Sequence, residues 1–443
     1  MSNPLSNYIL YFAIALNYQD GVKMRACLTL NPGLQEGPLR ALFPEPNDFD
    51  LYQLPEKFRP VVKSHLKLMK AVYIHKSIDM SFSELSDLVN NLIRAGDSQT
   101  KWINVPLMNS LNELLAVYKV RQQSHPEDVA SLEFQDLEID DLTPQKSSSL
   151  EQLANIINKA FKLSLNDKNP ELHLSKRMDI YFFLALLIKV YFKLNKLELA
   201  KSVEKALKGT RFQLPDMGSS ISNRTSGITY YYYSSLLSLD DGDFVQSEEK
   251  LVQALELIRY YKSLFSKQSQ QILLILLPLK MYNKQKSPQN VKKFWRHYPD
   301  LQTMYHNNLF KAIREGNLAL FDACVSKFQT IFLKNHLYLL IELLRQHCYL
   351  NLIKTCVSIV QENNEDPQSH IVPLTAFQLS FEYSKYNISN TNPFDFSNHL
   401  YNYTLDEIEC IVANLIALGK IKGYLSHTNR CIVLSKTTPF PSQ

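Results

Sequence analysis

The chain is 443 residues long, 45% hydrophobic and 11% aromatic, and its 48 Lys and Arg against 43 Asp and Glu give a formal net charge of +5. That composition supports one extended core or a few ordinary ones, and the charge is too small for this length to belong to a general polyanion binder. Glycine is scarce, at 11 residues, which argues against turn-rich sheets and glycine-lined phosphate loops and leaves helices as the expected elements.

The first element is an amphipathic helix with Tyr8, Phe12, Ala15 and Leu16 on one side, followed by a proline-rich loop over residues 31–60. Helical periodicity resumes at residues 61–76, 83–94 and 107–122, so residues 1–125 are expected to form an N-terminal helical region. Residues 126–149 carry Glu127, Asp128, Glu133, Asp136, Glu138, Asp140 and Asp141 and end in a serine run. They read either as a solvated linker or insert, or as a docking strip for a basic partner.

Residues 150–335 are more regular, with paired helices joined by short polar turns. An apolar helix over 179–194 meets the turn Asn195 and Lys196 and returns over 197–207, with Leu199, Ala200, Val203 and Ala206 inward. The same grammar recurs at 228–239 and 244–259 around Asp240, Asp241, Gly242 and Asp243, and at 309–314 and 318–332 around Glu315, Gly316 and Asn317. A small residue, Ala200 or Ser247, falls about four positions past the first two turns, near where paired helices must cross closely, and Phe321 is the exception at the third. Another helix over 270–282 is expected to be interrupted by Pro278. The whole predicts an all-α helical-repeat stack, tetratricopeptide-like but irregular in period.

Residues 336–443 depart from that grammar. Apolar helices are expected at 337–360 and 374–383 and a polar loop at 387–402. Thr404 then serves as N-cap, with Asp406 and Glu407 in the first turn of a helix over 405–418, and Gly419 supplies the left-handed residue that closes it. Residues 421–425 and 431–434 read as two short strands of a β-hairpin. Three helices followed by a hairpin is the winged-helix order.

Here the residues resemble a known family. Ile408 to His427 and the ending Val433 to Pro441, with Leu273 to Met281, Arg314 to Leu318 and Tyr349 to Lys354 upstream, are similar to the C-terminal module of the PCI-domain family. That family contains the signalosome-associated subunit twelve and the PCI-domain subunit of the transcription-export complex two, and the likeness to the former is slightly greater. The resemblance implies a non-catalytic scaffold that pairs with a second PCI-domain protein and holds a small acidic subunit of the proteasome-lid type along its repeats. It further implies work in mRNA maturation coupled to transcription, through splicing or elongation and in association with the signalosome. The alternatives are an mRNA-export subunit at the nuclear pore and a pure protein scaffold.

No glycine-rich phosphate loop, HExxH, GxSxG or metalloprotease-type His/Asp spacing occurs, so no catalytic residue, cofactor or metal is expected. His297, His336 and His347 read as surface or packed side chains. The cysteines Cys27, Cys324, Cys348, Cys356, Cys410 and Cys431 never fall at CxxC spacing, and no stretch approaches the ~20 apolar residues of a membrane span. The expected setting is therefore reducing, in the nucleus and cytoplasm, with no membrane contact.

The candidate binding residues are basic. Lys420, Lys422, Arg430 and Lys436 lie in a C-terminal segment without a single acid, with Lys420 and Lys422 expected on one face of the first wing strand and Arg430 near its tip, where phosphates could be met. Lys292, Lys293 and Arg296, beside Lys280, Lys284 and Lys286, form a second cluster. For both, the alternative is a solvated basic face. Because Asp406, Glu407 and Glu409 load the recognition helix with negative charge, RNA or DNA would be bound without sequence specificity and together with a second chain. For the small acidic partner, Lys201 and Lys205 with Tyr230 and Tyr233 would form a basic, aromatic groove; the tyrosine run 230–233 also reads as core packing.

Overall fold

The computed structural model describes residues 4–33, 35–124, 148–261, 266–284, 292–363, 370–386 and 402–441. The acidic stretch expected at 126–149 and the loop at 387–402 lie almost wholly outside the described residues. So do Lys286 and the side chains of Lys284, Lys292 and Lys293. The chain divides into two units, Met1–Leu237 and Ser238–Gln443.

In the first unit, helices Pro4–Asn17, Gly21–Leu28, Arg59–Tyr73, Ile78–Gly96, Asn104–Ser124, Ser149–Leu165, Ile180–Lys193 and Leu197–Lys208 pack on one another. Their starts are set by side-chain caps: Asp20 accepts from the Val22 and Lys23 amides, Ser77 from Met80, and Ser148 forms a capping box with Glu151. Several ends are set by left-handed residues, among them Gln19, Lys76 and Asn195. The proline-rich stretch is not a plain loop, since it holds the helix Glu36–Ala41 and a single 3₁₀ turn, Glu56–Phe58. A buried ammonium closes the Ile78–Gly96 helix: Lys176 Nζ, 3% exposed, donates to the carbonyls of Gly96, Asp97 and Gln99 at 3.2, 3.1 and 2.7 Å. One continuous apolar core runs from Leu5 to Leu237, and Ala200 is fully enclosed in it.

In the second unit, helices Phe244–Ile258 and Lys267–Lys284 pack together. A helical stretch then runs through Pro299–Leu301, the π-helical Gln302–Leu309 and Phe310–Glu315 to Gly316, whose φ of +67° ends it. Asn317 caps Leu318–Lys334 by accepting the Leu320 amide at 2.9 Å. The expected interruption at Pro278 does not occur, because the carbonyl that the proline leaves unpaired, Leu274, accepts the Tyr305 hydroxyl at 2.5 Å.

The Tyr338–Glu362 helix is the spine of this unit and packs against the Lys267–Lys284, Phe310–Glu315, Leu318–Lys334 and Leu374–Tyr386 helices. With it begins the winged-helix module: this helix, strand β1 (Ile371–Pro373), helix Leu374–Tyr386, helix Leu405–Ala417, and strands β2 (Gly423–Ser426) and β3 (Cys431–Leu434). The sheet is antiparallel in the order β1-β3-β2. The hairpin matches the sequence reading, and β1 is an addition to it.

Candidate interaction surface of the winged-helix module

The recognition helix Leu405–Ala417 is placed by local chemistry. Thr404 accepts the Glu407 amide at 3.2 Å while the Glu407 carboxylate accepts the Thr404 amide at 2.8 Å, a full capping box. Ile408, Val412 and Leu415, spaced at i, i+4 and i+7, are buried. Gly419, at φ +69°, then turns the chain towards the hairpin.

Register divides the sheet into two faces. Val372, Ile432 and Leu434 point inward and are buried. On the opposite face Ile371, Val433 and Tyr424 share one rung across all three strands, and the two outer members are 53% and 63% exposed. The module thus carries an apolar row on its outer face, bounded by strand edges that have no strand partner among the described residues.

The basic residues expected on the wing divide unequally. Arg430, itself at φ +48°, donates to Asp406 at 2.6 Å and to Glu409 at 2.8 Å, and His427 Nδ1 lies 3.0 Å from Glu409. The wing tip is therefore fastened to the recognition helix, and the bond to Asp406 leads in pushing the Arg430 guanidinium up. This corrects the expectation of a phosphate-ready arginine: its charge is already matched by two carboxylates. Lys420 is a second correction. It precedes β2 instead of lying on it, is only 8% exposed, and turns inward with Nζ 6.0 Å from the centre of the Tyr282 ring. Lys422 also precedes β2 but is exposed, and its amide donates to Pro439 at 2.8 Å, tying down the C-terminal segment. Lys436 and Arg296 are exposed, the latter on the short helix Lys292–His297.

In the first unit, Lys201 pairs with Glu198 at 2.9 Å and Lys205 is exposed. The two tyrosines expected beside them both pack against neighbouring side chains. Tyr230 is 6% exposed and donates to Glu204 at 3.3 Å, with burial first and Glu204 second in raising its hydroxyl pKa. Half-buried Tyr233 packs on Phe192 at 5.3 Å between ring centres. Aromatic runs on a repeat helix fill the space between helices before they reach solvent. Among the described residues no group of His, Cys, Asp and Glu could hold a metal ion, and no helix is long and apolar enough to cross a membrane.

The family profile described as PCI domain matches residues 325–436. Over 444 aligned residues the chain is 56% identical to the protein CSN12 homolog of Debaryomyces hansenii, covering 100% of this chain and 99% of that one. It is 26% identical over 441 residues to PCI domain-containing protein 2 of Danio rerio, covering 99% and 97%. It is 27% identical over 313 residues to Cop9 signalosome complex subunit 12 of Saccharomyces cerevisiae, covering 66% and 69%.

Proposed function

The chain belongs to the PCI-domain family of the CSN12 homologues and PCI domain-containing protein 2, and we propose that it is a non-catalytic scaffold subunit that pairs through its winged-helix module with a second PCI-domain protein. The observation that carries this reading is the outward-facing row Ile371, Val433 and Tyr424, its two outer members exposed, beside strand edges without a strand partner among the described residues. Exposed apolar rungs and open sheet edges are surfaces that another chain covers. The greater likeness to the CSN12 homologue supports a signalosome-type assembly over the mRNA-export complex.

Work in mRNA maturation coupled to transcription, in nucleus and cytoplasm, follows from the family resemblance. The small acidic subunit would be held on the repeats, with Lys205 supplying free charge and Lys201 sharing its own with Glu198. Among the described side chains, contact with RNA or DNA would fall to Lys422, Lys436 and Arg296, because Lys420 is enclosed and Arg430 is paired; Lys292 and Lys293 belong to the same proposed cluster as Arg296.

The test is co-expression with the second PCI-domain chain of the same organism, read by size-exclusion chromatography. Tyr424→Asp with Ile371→Asp should abolish co-elution while leaving the circular-dichroism melting curve of the isolated chain unchanged. Assembly that survives the double substitution would move the interface off the wing.

A further inference from the structure

Behind the wing lies a group of side chains that the scaffold role does not use. His347, on the Tyr338–Glu362 helix, is 3% exposed and neither ring nitrogen has a hydrogen-bond partner. Its ring lies edge-on to Tyr282 at 5.7 Å, and the Tyr282 ring in turn receives the ammonium of Lys420 at 6.0 Å. Lys354, two helical turns beyond His347 and so on the same face, is half-buried with Nζ 5.7 Å from the centre of the Phe440 ring. Both ammonium groups act on His347; burial first, then Lys420 and Lys354, hold its imidazole down to about 4, so it is neutral at physiological pH. Burial pushes both lysines down.

One enclosed and one half-buried cation beside a neutral imidazole with both nitrogens free, with no carboxylate among the described residues acting on any of the three, form an unbalanced arrangement. An unpaired buried charge or an unmade buried hydrogen bond is costly unless something restores the balance. Buried Lys176, by contrast, has its oxygens, donating to three carbonyls. We propose that His347, Lys354 and Lys420 form a pocket for a dianionic phosphoryl group. A phosphate monoester or free phosphate carries about two negative charges at neutral pH and several strong acceptor oxygens, which matches two ammonium groups and an imidazole N–H. A carboxylate or a nucleic-acid backbone diester brings only one charge and leaves a buried cation unmatched.

The test is thermal unfolding of the full chain, with and without inorganic phosphate, at constant ionic strength set by chloride. The melting temperature should rise with the logarithm of phosphate concentration once the site fills, and ring signals of ¹³C-labelled histidine should shift at His347, identified by its loss in His347→Gln. Lys420→Met should bind phosphate about tenfold more weakly or worse, the loss of one charge-assisted bond, while melting no lower than wild type in phosphate-free buffer. A Lys420→Met chain that melts lower in phosphate-free buffer and keeps the full phosphate response would overturn the proposal, as would a wild type indifferent to phosphate. Phosphoserine distinguishes the sources: a response equal to that of phosphate means that the pocket admits a protein-borne monoester, and a response to free phosphate alone restricts it to the ion. A single-stranded oligonucleotide with hydroxyl ends should leave His347 unshifted; a shift abolished by Lys420→Met would reassign the pocket to backbone diesters and sink the dianion argument.

Discussion

At the scale of single residues, buried histidines couple this fold to pH. His65 is fully enclosed, its ring stacked on Tyr8 at 6.0 Å with both nitrogens unpartnered, and burial, aided by Arg40, holds its pKa down to about 3 from 6.5. An unfolded chain takes up this proton as pH falls through 6.5, whereas the folded chain refuses it until near 3. Acid therefore favours the unfolded state throughout that window. At pH 5 the loss from this one group is about 2 kcal/mol relative to neutral pH. His65→Phe should abolish that loss, so that the denaturant midpoint of the first unit changes less between pH 8 and pH 5 than in the wild type. Equal acid sensitivity in the variant would place the effect on other groups. Residue-scale legibility was uneven for a physical reason. The Thr404 and Glu407 capping box was readable because both partners lie within one turn. The fates of Lys420 and Arg430 were not, since Tyr282 and Asp406 reach them only through the fold.

At the scale of elements, the turns were legible wherever a left-handed or capping residue marks them: Asn195, Gly242 and Asp243, Gly316 and Asn317. Strand β1 was not, because three residues ending in Pro373 make a strand only when β3 is there to pair with. The unbroken Lys267–Lys284 helix is the more instructive miss. Proline removes the amide that would bond to the carbonyl four residues earlier, and a sequence window has no means of showing that Tyr305 supplies the missing donor from another helix. Tyr305→Phe should therefore cost about 1–2 kcal/mol, the penalty of an unsatisfied carbonyl. In a Pro278→Ala background the restored amide serves Leu274, and the same Tyr305→Phe change should cost markedly less. A double-mutant cycle on denaturant midpoints measures the difference, and strictly additive costs would mean that the hydroxyl serves some other role.

At the scale of the whole molecule, the repeat architecture is legible because periodicity repeats, but the division at Leu237 is not. Leu236, Leu237 and Leu239 are all buried and carry one helical pattern straight through the boundary, so nothing local announces that the helices before and after it share different cores. That division has a consequence that the sequence happens to make measurable. The chain has 2 tryptophans; Trp102 lies in Met1–Leu237 and Trp295 in Ser238–Gln443, and both are buried, at 9% and 3% exposure. Trp295→Phe leaves fluorescence reporting the first unit alone, and Trp102→Phe leaves it reporting the second. If each unit unfolds on its own core, lowering the pH from 8 to 5 should shift the Trp102 transition in a manner that His65→Phe suppresses, while His65→Phe leaves the Trp295 transition where it was. Conversely, Tyr305→Phe should lower the Trp295 midpoint and leave the Trp102 midpoint in place. Coincident shifts of both reporters in both variants would show that the chain unfolds as one cooperative body, and the stability of either unit could then no longer be treated as its own.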